Sequence, residues 1–140
     1  MQTIRISTFL RRVLFADAAT CIAMALLLAL GSGLFDDFLK MPAQFLFYAG
    51  LSLFPFAAYL VYLGRRETVA SSLVWTVIAL NVLWAIDSIL ILLAGWVEPN
   101  AFGYAFIVAQ AVSVAVLAEL EYLGLRRSEA QNTSTVEQVS

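Results

Sequence analysis

The sequence predicts an all-α, polytopic membrane protein: four transmembrane helices in an up-down-up-down bundle, with both termini on the cytoplasmic side. Three observations predict it. Of the 140 residues, 62% are hydrophobic and only 13% charged, against about 45–50% apolar and about 25% charged in an ordinary soluble domain. The apolar residues fall into four blocks, each near the roughly 20 residues that an α-helix needs to cross a hydrocarbon core. The basic residues are lopsided: Arg5, Arg11, Arg12, Arg65, Arg66, Arg126 and Arg127 fall on one side of this scheme and Lys40 alone on the other, the bias that fixes orientation in bacterial membranes.

Helix 1 is expected at about 10–34. Arg11 and Arg12 followed by a long apolar run could suggest a signal peptide, but the run exceeds the usual h-region of about 7–15 residues, so helix 1 is expected to stay as a span. Helix 2, about 42–63, begins at Pro42, where a missing N–H costs nothing. It contains Pro55, which should free the carbonyl of Leu51 and bend the helix, with Ser52 near enough to help. Helix 3 is expected at about 70–94 and helix 4 at about 100–123, with outer loops around Asp36-Asp37 and Glu98-Pro99. Residues 1–127 form one domain, and the polar segment 128–140 is expected to be a disordered cytoplasmic tail. Helices 2 and 4 end in "YLGRR" and "YLGLRR". Internal duplication and ordinary interfacial anchoring both account for that echo.

Function classes narrow by subtraction. There is no histidine and one cysteine, Cys21, which rules out an internal disulfide and removes the commonest metal and haem ligand and the usual neutral-pH base. No catalytic constellation, metal site or cofactor is expected, and the chain does not read as an enzyme. The arginines follow from topology, and no nucleic-acid partner is expected. The lipid bilayer is the expected partner, with association into a homo-oligomer or a larger membrane complex.

The chemistry that remains is polar residues inside apolar helices. The run "NVLWAIDSIL", 81–90, places Asn81, Trp84 and Ser88 within one stripe roughly 80° wide on helix 3, with Asp87 at its edge. Gln110 and Ser113 on helix 4 are the expected partners, and Ala111, Ala115 and Ala118 would allow close approach. Asp87 and Asp17 are carboxylates inside predicted spans, costing about 2.5–3.5 kcal/mol each on insertion scales. Asp17 is expected to pair with Arg11, Arg12, Arg65 or Arg66, and Glu119 and Glu121 with the same arginines. Asn81, Trp84, Asp87, Ser88, Gln110, Ser113 and Asp17 are therefore the candidate binding residues. A ligand space between helices 2 and 3, lined by Phe45, Phe54, Phe56 and Trp84, is a further option.

The stretch 81–127, through Asn81, Trp84, Gln110 and the turn from Glu119 to Tyr122, resembles the second half of small four-helix bacterial membrane proteins close to the DoxX-like group. That resemblance implies a bacterial inner-membrane location and transfers no site residue. The plan of four helices with an acid in the first, Asp17, and an aromatic in the third, Trp84, also resembles that of small multidrug resistance exporters, although this chain is longer, has Asp for Glu and lacks their Gly-rich helix-3 motif. Two functions are thus expected: a structural or accessory bundle acting through helix packing, or, as that second resemblance implies, a proton-coupled small-molecule transporter using Asp17 or Asp87.

Overall fold

The computed structural model describes residues 3–39, 43–95 and 99–139, and within these the side chains of residues 32, 34–39, 45, 135, 136 and 139 lie outside the description. Lys40, Pro42 and Glu98, and the side chains of Asp36, Asp37 and Phe45, therefore fall outside the described residues.

The described residues form four helices, α1 (Thr8–Leu39), α2 (Ala43–Arg65), α3 (Ser71–Ala94) and α4 (Ala101–Val139). All four are long and apolar enough to cross a membrane. Two short strands accompany them, β1 (Thr3–Arg5) and β2 (Thr68–Ala70), paired antiparallel with Ile4 opposite Val69. The sequence reading contained no strand; three residues each, although four of the six are β-branched, are too few to show a period.

Local chemistry fixes the helix ends. Ser7 caps α1, its Oγ accepting from the Leu10 amide at 3.2 Å, and Asn100 caps α4, its Oδ1 accepting from the Gly103 amide at 2.9 Å. These are N-cap residues satisfying otherwise orphaned N–H groups. Gly95 ends α3 with φ of 73°, a left-handed conformation that costs glycine nothing. At the end of α2 the Arg11 guanidinium donates to Gly64 O at 3.0 Å and Arg66 O at 3.2 Å, meeting carbonyls the helix itself leaves free. Inside α2, Ser52 turns its hydroxyl to Ala49 O at 2.7 Å, not to the Leu51 carbonyl freed by Pro55.

Two boundaries differ from expectation. α1 runs on to Leu39, so Asp36 and Asp37 belong to a helix and not to a loop. The segment 128–139, expected as a disordered tail, continues α4. The reason is long-range anchoring: Ser128 is fully buried and accepts from the Ser7 amide at 3.0 Å, while Asn132 Oδ1 accepts from the Arg5 amide at 3.2 Å.

α1 packs along α2 and also against α4, and α3 packs on α4, while α2 and α3 barely meet. Glycines set the closest approaches. A Cβ on Gly50 would stand 2.9 Å from Ala29 N and 3.0 Å from Ala25 O, and one on Gly124 would stand 3.0 Å from Leu10 Cα. Backbone thus touches backbone between α1 and α2 and between α1 and α4, as small residues permit. The main core lies where the strands are. It contains Ile4, Leu10, Leu14, Leu60, Leu63, Val74, Val77 and Leu125, all without solvent access. A smaller cluster of Leu28, Leu46 and Ile107 lies at the far end.

Candidate functional site

Between these two cores the helices enclose polar side chains that three different elements deliver to one point. Asp17 lies nine residues into α1 and Asn81 ten into α3, so each sits about 15 Å along its helix at about 1.5 Å per residue. Glu121 comes from α4. Their exposures are 1%, 3% and 0%, so water does not solvate these charges directly.

Asn81 organises the cluster. Its Nδ2 donates to Asp17 Oδ2 at 2.8 Å and is shared between Glu121 Oε1 at 3.0 Å and Oε2 at 3.2 Å. An amide has two N–H bonds, so one goes to each carboxyl. Cys21, one turn beyond Asp17, adds its thiol to Asp17 Oδ1 at 3.5 Å. The two carboxyls are thus held by one nitrogen.

This geometry corrects the expected charge pairing. Asp17 turns to Asn81 and Cys21, and among the described residues it meets no arginine. Glu121 is buried rather than part of a cytoplasmic rim, and Glu119 is exposed. The arginines find other partners: Arg11 takes the carbonyls at the end of α2, and Arg127 lies 4.6 Å from the Phe9 ring centroid. Arg66 and Arg126 lie over Tyr62 and Tyr122 at 5.6 and 5.9 Å, within cation–π range.

A cavity of about 490 Å³ opens on Asp17, Cys21 and Asn81 and is walled by residues including Met24, Phe56, Trp84 and Phe106. A second, of about 460 Å³, reaches Leu46, Tyr48 and Ile91. Met24, Trp84, Asp87, Phe106 and Gln110 line both, so the two form one crevice along the poorly packed seam between α2 and α3. Its walls are apolar with a few polar groups, the usual makeup of a small-molecule site.

All seven residues singled out in the sequence line this crevice, yet they do different things. Asp17 and Asn81 form the buried cluster. Trp84 is a half-buried wall, and Asp87 is exposed to the crevice. Ser88 donates to Trp84 O at 2.8 Å and stands 3.4 Å from Gln110 Oε1, a link between α3 and α4 at the expected level. Ser113 is exposed and donates to its own helix at Ala109 O. Ala111 and Ala118 are buried, but Ala115 is exposed. Asn81 does not meet Gln110 or Ser113; Glu121 replaces them. Of the aromatic set expected between helices 2 and 3, Phe56 and Trp84 line the crevice and Phe54 does not.

Glu121 is the residue that sequence reasoning misplaced, although a signal existed. It follows Gln110 by eleven residues, close to three helical turns, and so shares the face already assigned to the helix 3 contact. Groups of three or more metal-ligating side chains are absent among the described residues. No protein-family model matches the chain, and comparisons with curated proteins and with solved structures find no match.

Proposed function

We propose that this chain is a multi-pass protein of the bacterial inner membrane, an up-down-up-down bundle with both termini cytoplasmic, that works as a proton-coupled carrier of a small apolar molecule. Only 17% of the apolar stretch of α3 is buried within the protein, and surface that apolar calls for lipid. The connections between helices are short enough to favour antiparallel neighbours, and seven of eight basic residues then fall on the side of the strands.

One observation carries the functional reading: Asn81 holds the carboxyls of Asp17 and Glu121 together, buried and, among the described residues, without a cation, at the end of an apolar crevice. Two carboxylates in such a site repel one another and pay a desolvation penalty, so the pair holds a proton between them. Anything that draws near, or any movement that admits water, changes the cost of keeping that proton. That is the coupling a proton-driven carrier needs. Asp17 and Glu121 bind the proton, Asn81 positions them, and Trp84, Phe56 and Phe106 supply the apolar wall.

The test is an infrared titration of the protein in lipid vesicles, with Asp17→Asn as the difference control. A protonated carboxyl band that disappears reversibly as pH rises through neutrality, and is missing in Asp17→Asn, is the expected result. A band that persists, or is absent, over the whole range in which the protein stays folded would remove the proton-coupling role. That outcome would favour the second reading, a structural or accessory bundle acting in a homo-oligomer or larger complex. It draws on the same amide, which ties α1, α3 and α4 together.

A further inference from the structure

The crevice is closed at one end and open towards the other. Beyond Asp17 and Asn81 in the strand direction lie Leu10, Leu14, Leu60, Leu63, Val74 and Leu125, all without solvent access. There Tyr59 also donates to Leu73 O at 3.1 Å, drawing α2 onto α3. In the opposite direction the space continues past Trp84, Asp87 and Gln110 to Leu46, Tyr48 and Ile91. The continuous space along the helices therefore leads from that far end to the buried pair, and Asp87 stands midway along it.

We infer that Asp87 relays protons between the far end of the crevice and the Asp17–Glu121 pair. This rests on the proton-binding reading above. Asp87 lines both parts of the crevice, and among the described residues its carboxyl has no hydrogen-bond or ion-pair partner. A structural carboxylate within a span is ordinarily paired, and an unpaired one marks a proton or ion pathway. The titratable groups facing the crevice are Asp17 and Cys21 from α1, Tyr48 from α2 and Asp87 from α3, with Glu121 of α4 behind Asn81. Among the described residues neither lysine nor arginine lines it, so no fixed cation there bars a proton.

Asp87 follows Asn81 by six residues, about 9 Å along the helix. That is too far for direct transfer, which needs about 2.6–3.2 Å or one bridging water. The crevice has room for water, at about 30 Å³ per molecule, and Ser88, Gln110 and Ser113 provide polar anchors. In the relay the Asp87 carboxylate takes a proton from the medium. Its O–H bond then breaks, the proton passes along hydrogen-bonded water, and a new O–H bond forms on the pair. Asp87 returns to the carboxylate form and net charge is conserved.

The experiment is a pH jump on the protein in lipid vesicles, following the carboxyl band assigned to the pair by its loss in Asp17→Asn. Asp87→Asn is expected to slow proton exchange by about 10²-fold while leaving the titration midpoint of the pair in place. Ala49→Phe, which fills the crevice beyond Asp87 without removing a titratable group, is expected to slow exchange as well. An unchanged rate in Asp87→Asn, with the wild-type band titrating, would overturn the relay and leave the proton-binding reading intact. A shifted midpoint at an unchanged rate would likewise overturn it, making Asp87 an electrostatic neighbour. A wild-type band that does not titrate would overturn both.

Discussion

The two ends of the bundle are built to different standards. At the strand end, leucines from α1, α2 and α4 interlock without solvent access, Ser7 and Ser128 exchange hydrogen bonds, and Arg11 closes the end of α2. At the far end the buried core shrinks to Leu28, Leu46 and Ile107, and the seam between α2 and α3 widens into the crevice. Cohesion is thus concentrated on the strand side of the buried acids and relaxed on the other, the division that the proposed carrier would use. A uniformly packed bundle would be more stable and would leave no path to Asp17.

Unfolding measurements in detergent or lipid test that contrast. The largest effect is expected from Leu60→Ala in the strand-end core, a loss of about 2–5 kcal/mol from the cavity left behind. The same truncation at Leu83, 53% exposed, should stay within about 0.5 kcal/mol; equal costs would mean that the two surfaces do not differ in packing. Next comes Asn81→Leu, which strips both carboxyls of their shared donor, leaving Asp17 only the Cys21 thiol, and should cost about 2–3 kcal/mol. Equal stability of the Leu variant would show that the amide contributes nothing to cohesion. The smallest effect sharpens the comparison. Gly50→Ala should cost about 1–3 kcal/mol by forcing α1 and α2 apart, whereas Gly33→Ala, with open space around its position, should gain about 0.5–1 kcal/mol from helix propensity.

The sequence made the helices legible because lipid-crossing length and apolar composition are local properties. Helix ends that depend on distant partners were not legible. Nothing within 128–139 says that Ser128 will meet Ser7, 121 residues away, and without that contact the segment reads as a polar tail. The site divides in the same way. Asn81, Asp17 and Asp87 stood out as polar residues in apolar runs, since their cost is set by their immediate surroundings. Their partners did not, because Asp17 lies 64 residues from Asn81 and Glu121 lies 40. Glu121 was masked by its neighbours: beside Glu119 and before Arg126 it reads as part of a charged rim, and only the helical phase from Gln110 turns it inward.

The 39 residues of α4 make a rod about 58 Å long at about 1.5 Å per residue, nearly twice the roughly 30 Å of a hydrocarbon core. Placed upright in a bilayer, it stands clear of the surface like a mast stepped on the keel that Ser7 and Arg5 provide. Its height above the lipid reports any tilt of the helix below. A probe at Gln138 would magnify a few degrees of movement near Glu121 into a displacement that distance spectroscopy can follow.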